Sequence, residues 1–122
     1  NEDILGSMEF ACKVAGAKAV VVLGHSKCGA VKGACDHVEM GNLTNLLSKL
    51  QPAVYAEKTI TDDRTSSNDV FVEKVATLNV LMAMHQIHEK STILNDMIIK
   101  GEIALIGGMY DVETGIVDFY ED

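Results

Sequence analysis

At 122 residues, nearly half of them apolar, the chain is long enough for one packed core and too apolar for disorder. Its net charge of -8, from 10 Lys and Arg against 18 Asp and Glu, argues against nucleic acid or an anionic membrane as partner. No apolar run approaches the roughly 20 residues that span a bilayer.

The acidic opening Asn1-Glu2-Asp3 lacks an initiator Met and any secretory pattern, and it reads as the start of an excised piece. Asp3 is placed to cap a first helix whose stripe is Ile4, Leu5, Met8, Cys12 and Val14-Ala15, with Gly16 ending it. Lys18 to Leu23 is an apolar run without alternation, the pattern of a strand buried on both faces of a parallel sheet. Gly24 to Gly29 is a turn and Ala30 to His37 a short helix. Leu43 to Ala53 is a second helix, with Leu43, Leu46, Leu47 and Leu50 at helical spacing and Pro52 near its end.

Residues 57 to 67 are polar and unpatterned, as in a surface loop. Asn68 or Asp69 then caps the longest helix, which carries Val72, Val75, Ala76, Leu78, Asn79, Met82, Ala83 and Ile87. Ser91 caps another short helix, through Ile98 to Lys100-Gly101. Ile103 to Tyr110 is a strand, Glu113-Thr114-Gly115 a turn, and Ile116 to Tyr120 a strand that can pair back as a hairpin. The order is that of a single α/β domain over residues 1–122. Its mostly parallel, Rossmann-like sheet is flanked by helices, with a right-handed crossover and only about three strands. Ligands of such sheets gather beyond the carboxyl ends of the strands, where Gly24 to Gly29 falls.

That turn, Gly24-His25-Ser26-Lys27-Cys28-Gly29, carries an imidazole and a thiol three residues apart. These are donors that zinc favours. A helix starting near Gly29 would present unpaired N–H groups to Cys28, favouring negative charge on its sulfur. Cys28 is thereby a candidate ligand or nucleophile. The glycine spacing also fits a phosphate loop, but Ala30-Val31 stands where Lys-Ser/Thr would grip phosphate. A cysteine phosphatase would need arginine at position 34, which is Ala34, and a thioredoxin-type motif needs a second cysteine that Val31 replaces. A histidine and a cysteine simply packed at a strand end remain the plain alternative.

Ser7-Met8-Glu9-Phe10-Ala11, Ala17 to Leu23, the turn itself, Gly29-Ala30-Val31-Lys32-Gly33-Ala34, and Gly107-Gly108-Met109-Tyr110-Asp111-Val112-Glu113-Thr114-Gly115 together resemble the β-class carbonic anhydrases over essentially the whole chain. The resemblance implies that His25 and Cys28 are ligands of a catalytic Zn2+. It implies reversible hydration of carbon dioxide to bicarbonate, and a homo-oligomer, dimer or larger, with sites near subunit interfaces. The family also holds a Cys-x-Asp-x-Arg segment on a strand upstream of this turn, and nothing here matches it. The chain therefore resembles the later part of the family domain, without that first strand, one metal ligand and the catalytic aspartate–arginine pair.

Three readings follow. The chain is an enzyme completed by an upstream segment or a companion chain; or a truncated, catalytically silent member serving as an assembly or zinc-binding module; or two chains pool His25 and Cys28 around one structural zinc. His37, His85 and His88 are candidates for exporting the proton. His85 and His88, three apart on the long helix, read more simply as an exposed or interfacial face, and Met82 and Met84 with Leu78 and Leu81 as core or subunit interface. Asp62, Asp63 and Asp69 read as a solvated loop and a cap, and Tyr110, Phe119 and Tyr120 as a packed hairpin. Cys12 is a small core residue and Cys35 has no evident partner; an odd count of three thiols fits a reducing, cytoplasmic compartment.

Overall fold

The computed structural model describes residues 1–120. α1 (Glu2–Glu9) runs into a π-helical turn (Phe10–Val14), followed by β1 (Ala19–His25), α2 (Gly29–Cys35), α3 (Gly41–Ser48), α4 (Gln51–Ala56), α5 (Asp69–Lys90), α6 (Thr92–Ile99), β2 (Ala104–Tyr110) and β3 (Val117–Tyr120). Among the described residues the sheet has order β1-β2-β3. β1 and β2 are parallel, from Ala19 opposite Ala104 to His25 opposite Tyr110, and β3 returns antiparallel to β2. The small α/β sheet expected from the sequence is present.

α5 organises the core. Phe71, Val72, Val75, Ala76, Val80, Met84 and Ile87 recur at helical spacing and are all buried. Asn68 starts the helix, its side chain accepting from Val70 N at 3.1 Å and Phe71 N at 3.3 Å. The helix lies close across the sheet where β1 and β2 are stripped to glycine. A Cβ on Gly24 would come within 2.8 Å of Val80 Cγ2, and one on Gly107 would collide with Met84 Sδ.

Several sequence expectations are corrected. Asn1, not Asp3, caps α1, accepting from Ile4 N at 3.0 Å, which leaves Asp3 in the first turn facing the helix dipole. The helix expected over Leu43–Ala53 is two, α3 and α4. Proline lacks an N–H and its ring crowds the carbonyl four residues back, so Pro52 serves the first turn of a new helix. Of the leucines there, only Leu47 is fully buried. α2 ends at Cys35, and His37 lies beyond it with φ 54°.

β1 is not buried on both faces. Val20, Val22 and Gly24 face α5, whereas Val21 and Leu23 are 49% and 51% exposed on the opposite face. No described helix covers that face, and among the described residues β1 pairs only with β2, which leaves its other edge open there. A cleft of about 660 Å3 follows that edge, bounded by Ile4, Leu5 and Met8 of α1 and by Ala83 and Ile87 of α5. Phe119 also points away from the core, so the hairpin is packed on one side only.

The polar stretch 57–67 is more ordered than its composition suggests. Glu57 is buried and its carboxylate accepts from Thr59 N and Ile60 N, both at 2.8 Å, and from the Thr59 hydroxyl. Arg64 donates to Ile60 O at 2.8 Å and Val54 O at 3.0 Å, and stacks 4.6 Å above the Phe71 ring. The Ile60 amide, foremost, holds the Glu57 carboxyl below its ordinary value. With the native pKa below the unfolded one, this group stabilises the fold above the ordinary glutamate range and loses that effect as pH falls through the native value. Glu57→Gln should therefore flatten the fall of Tm on acidification from about pH 6 to below about pH 4. An unchanged acid profile by thermal circular dichroism would contradict this.

Candidate metal centre

His25 is the last residue of β1, placed by the parallel ladder opposite Tyr110. Its ring is exposed, and Nδ1 lies 2.9 Å from the backbone oxygen of Ser26. A carbonyl oxygen can only accept, so Nδ1 is the donor and Nε2 is left with its lone pair free for a metal. Lys27 follows with φ 55°, a left-handed conformation rare outside glycine, which turns the chain from strand to helix. Cys28 occupies the position before α2, half-buried, and its side chain makes no capping hydrogen bond. Its sulfur is thus not spent on the helix whose N–H groups it adjoins.

The turn is tied to the hairpin turn after β2. Ser26 N donates to Tyr110 O at 2.9 Å, and Val112 N donates to Ser26 Oγ at 3.0 Å. Lys27 Nζ pairs with the Glu113 carboxylate, which raises the lysine above its ordinary pKa. An open cleft of about 480 Å3 adjoins the turn, lined by Ser26, Lys27 and Lys32 with Asp69, Glu73 and Lys74.

His25 and Cys28 fit part of a tetrahedral zinc site: one imidazole with its second nitrogen fixed, and one thiol at a helix start. They do not complete it. Among the described residues no group of three or more His, Cys, Asp or Glu stands close enough to hold a metal ion.

The other candidates lie elsewhere. His85 is exposed beside Glu89 at 3.5 Å, and His88 Nδ1 is 2.8 Å from Asn95 Oδ1. His37 lies 6.4 Å from the Tyr55 ring. Met84 is buried and Leu78 and Met82 pack against the core, whereas Leu81 is exposed. Asp63 accepts from the Thr65 and Ser67 hydroxyls within its own loop. Cys12 and Cys35 are buried, and burial pushes the Cys35 thiol up to about 11. Sequence reasoning missed Ser26 and Glu113, whose hairpin partnerships each span 86 residues.

Known proteins resemble this chain in sequence and in fold. A sequence model of the carbonic anhydrase family matches residues 1–117. Carbonic anhydrase 2 of Mycobacterium tuberculosis is 29% identical over 119 residues, covering 92% of this chain and 53% of that protein. The carbonic anhydrase of Synechococcus elongatus is 28% identical, covering 91% of this chain and 41% of that protein. The chain thus spans about half the length of the curated relatives it matches. The crystal structure of the β-carbonic anhydrase CafA of Aspergillus fumigatus superposes with TM-score 0.78 at 27% identity, over 98% of this chain and 56% of that one. A tetrameric β-carbonic anhydrase of Sordaria macrospora shares the fold at TM-score 0.81 and 22% identity, over 98% of this chain and 60% of that one. The chain belongs to the β-class carbonic anhydrase family.

Proposed function

We propose that the chain supplies half of a zinc centre for the reversible hydration of carbon dioxide to bicarbonate, through His25 and Cys28. The observation that carries this reading is the His25 ring: its Nδ1–H is committed to Ser26 O, leaving Nε2 free three residues from the Cys28 sulfur. His25 would bind the metal through Nε2 and Cys28 through Sγ. Zinc, when bound, lowers the pKa of its water from about 15.7 towards 7 and so makes hydroxide available for attack on CO2. The carbonyl of Ser26 holds the imidazole in the metal-binding tautomer.

The remaining donors come from an upstream segment or a companion chain. The open edge of β1 supports this, because a strand laid along it would lie beside the strand that ends in His25. The uncovered apolar residues Val21, Leu23, Ile116 and Phe119 support a homo-oligomer. Three free cysteines support a reducing, cytoplasmic setting. Among the described residues, no helix is long and apolar enough to cross a membrane.

A second reading is favoured by the want of a third donor among the described residues: a silent member of the family that serves as an assembly or zinc-binding module. Stopped-flow CO2 hydration of the zinc-loaded chain against His25→Ala separates the two. Hydration above the buffer rate that disappears in the variant supports the enzyme; both proteins matching the buffer rate means that this chain alone is catalytically silent.

A further inference from the structure

We propose that Ser26 and Glu113 are positioning residues, which fasten the metal-binding turn to the hairpin turn and so hold His25 and Cys28 in register. The inference rests on the metal-binding reading of that pair. β1 and β2 pair up to His25 and Tyr110, and the Ser26 N to Tyr110 O bond extends the ladder one step further. Beyond that point main-chain pairing stops, and the Ser26 hydroxyl takes the place of the next backbone acceptor by receiving the Val112 N–H. The same residue's carbonyl receives the His25 ring. One residue therefore links the imidazole to the hairpin.

Cys28 is held through its other neighbour. Lys27 sits at φ 55°, which sets the direction in which the chain enters α2, and an unrestrained non-glycine residue would leave that conformation readily. Its ammonium is held by Glu113. Glu113 in turn stands on a closed turn: Asp111 N donates to Ile116 O at 2.9 Å, Gly115 N to Asp111 O at 2.8 Å, and Glu113 N to Asp111 Oδ1 at 2.9 Å. Each of the two ligands thus has its own fastener on one rigid support.

Both side chains of the Lys27–Glu113 pair are more than half exposed, at 52% and 64%. Exposed pairs of this kind add little to global stability. That separates positioning from folding: loss of the fasteners should loosen the turn and leave the fold as stable as before.

The test uses the full chain without metal and the native labelling of Cys28 by an aromatic disulfide reagent. Cys12 and Cys35 are buried, so the fast phase reports Cys28. Ser26→Ala and Glu113→Gln should each raise that rate several-fold, while Tm moves by no more than about 4 °C. The charge swap Lys27→Glu with Glu113→Lys should bring the rate back towards that of the parent. Zinc should protect the parent thiol, with an apparent affinity about tenfold weaker in Ser26→Ala and Glu113→Gln.

Labelling at the parent rate in both variants, or a rate that rises only in step with a falling Tm, overturns the proposal. Failure of the swap to restore the rate overturns the role of the Lys27–Glu113 pair. Zinc that protects nothing in the parent instead overturns the metal-binding reading beneath it, and the metal-free rates still show whether the fasteners order the turn.

Discussion

Phe71→Ala should destabilise the protein by about 3–5 kcal/mol, the cost of emptying a fully buried aromatic site. Phe71 is wholly inaccessible to solvent and stands in the first turn of α5, where the core meets the 57–67 loop. Its ring is also the surface on which the Arg64 guanidinium rests. Truncation would leave a cavity and remove the apolar support of Arg64, whose two main-chain hydrogen bonds hold the loop to Val54 and Ile60. Against the 5–15 kcal/mol of an ordinary domain the loss is severe, a fall in Tm on the order of 10–20 °C. Thermal unfolding followed by circular dichroism measures it. A shift of only a few degrees would mean that the loop and α5 are not one cooperative unit.

Removal of the Cys28 sulfur should lower zinc affinity by about two to three orders of magnitude. A complete four-donor zinc site binds with about 10–16 kcal/mol, about 2.5–4 kcal/mol per donor, and Cys28 is one of the two donors this chain supplies. Cys28→Ser keeps the shape of the side chain and the start of α2, since the thiol makes no capping hydrogen bond. The loss should therefore appear in competition titrations with a zinc chelator and not in Tm of the metal-free protein. Unchanged affinity in Cys28→Ser would place the metal elsewhere.

How far the sequence foretold these features depends on the range of the interactions. Local signals were legible: Ser91 and Asn68 as caps, and Gly16 ending the first helical segment with φ 85°. The strand leading to His25 was legible for the same reason, because a β-branched run followed by a glycine-flanked turn is a local pattern. Spacing misled where it continued through a break. Leu43, Leu46, Leu47 and Leu50 keep helical period across the junction of α3 and α4, and periodicity does not report the junction.

The open face of β1 was hidden differently. An unbroken apolar run reads as buried on both sides, but burial requires a covering element, and among the described residues only α5 supplies one. Glu57 and Arg64 were invisible because their partners are main-chain atoms and a ring, which carry no residue-type signature. Ser26 and Glu113 were invisible because their partners are far along the chain. At the site itself, the two donors could be read from spacing, whereas the bonds that orient them depend on the fold.

Cobalt titration of the metal-free protein tests most directly whether His25 and Cys28 together hold a divalent cation. Cobalt(II) takes zinc's place in tetrahedral sites, and sulfur bound to it gives a charge-transfer band in the near ultraviolet. The band should rise on titration, saturate, vanish in Cys28→Ser and weaken sharply in His25→Ala. A protein that develops no band, or one that persists undiminished in Cys28→Ser, would contradict metal binding by the pair.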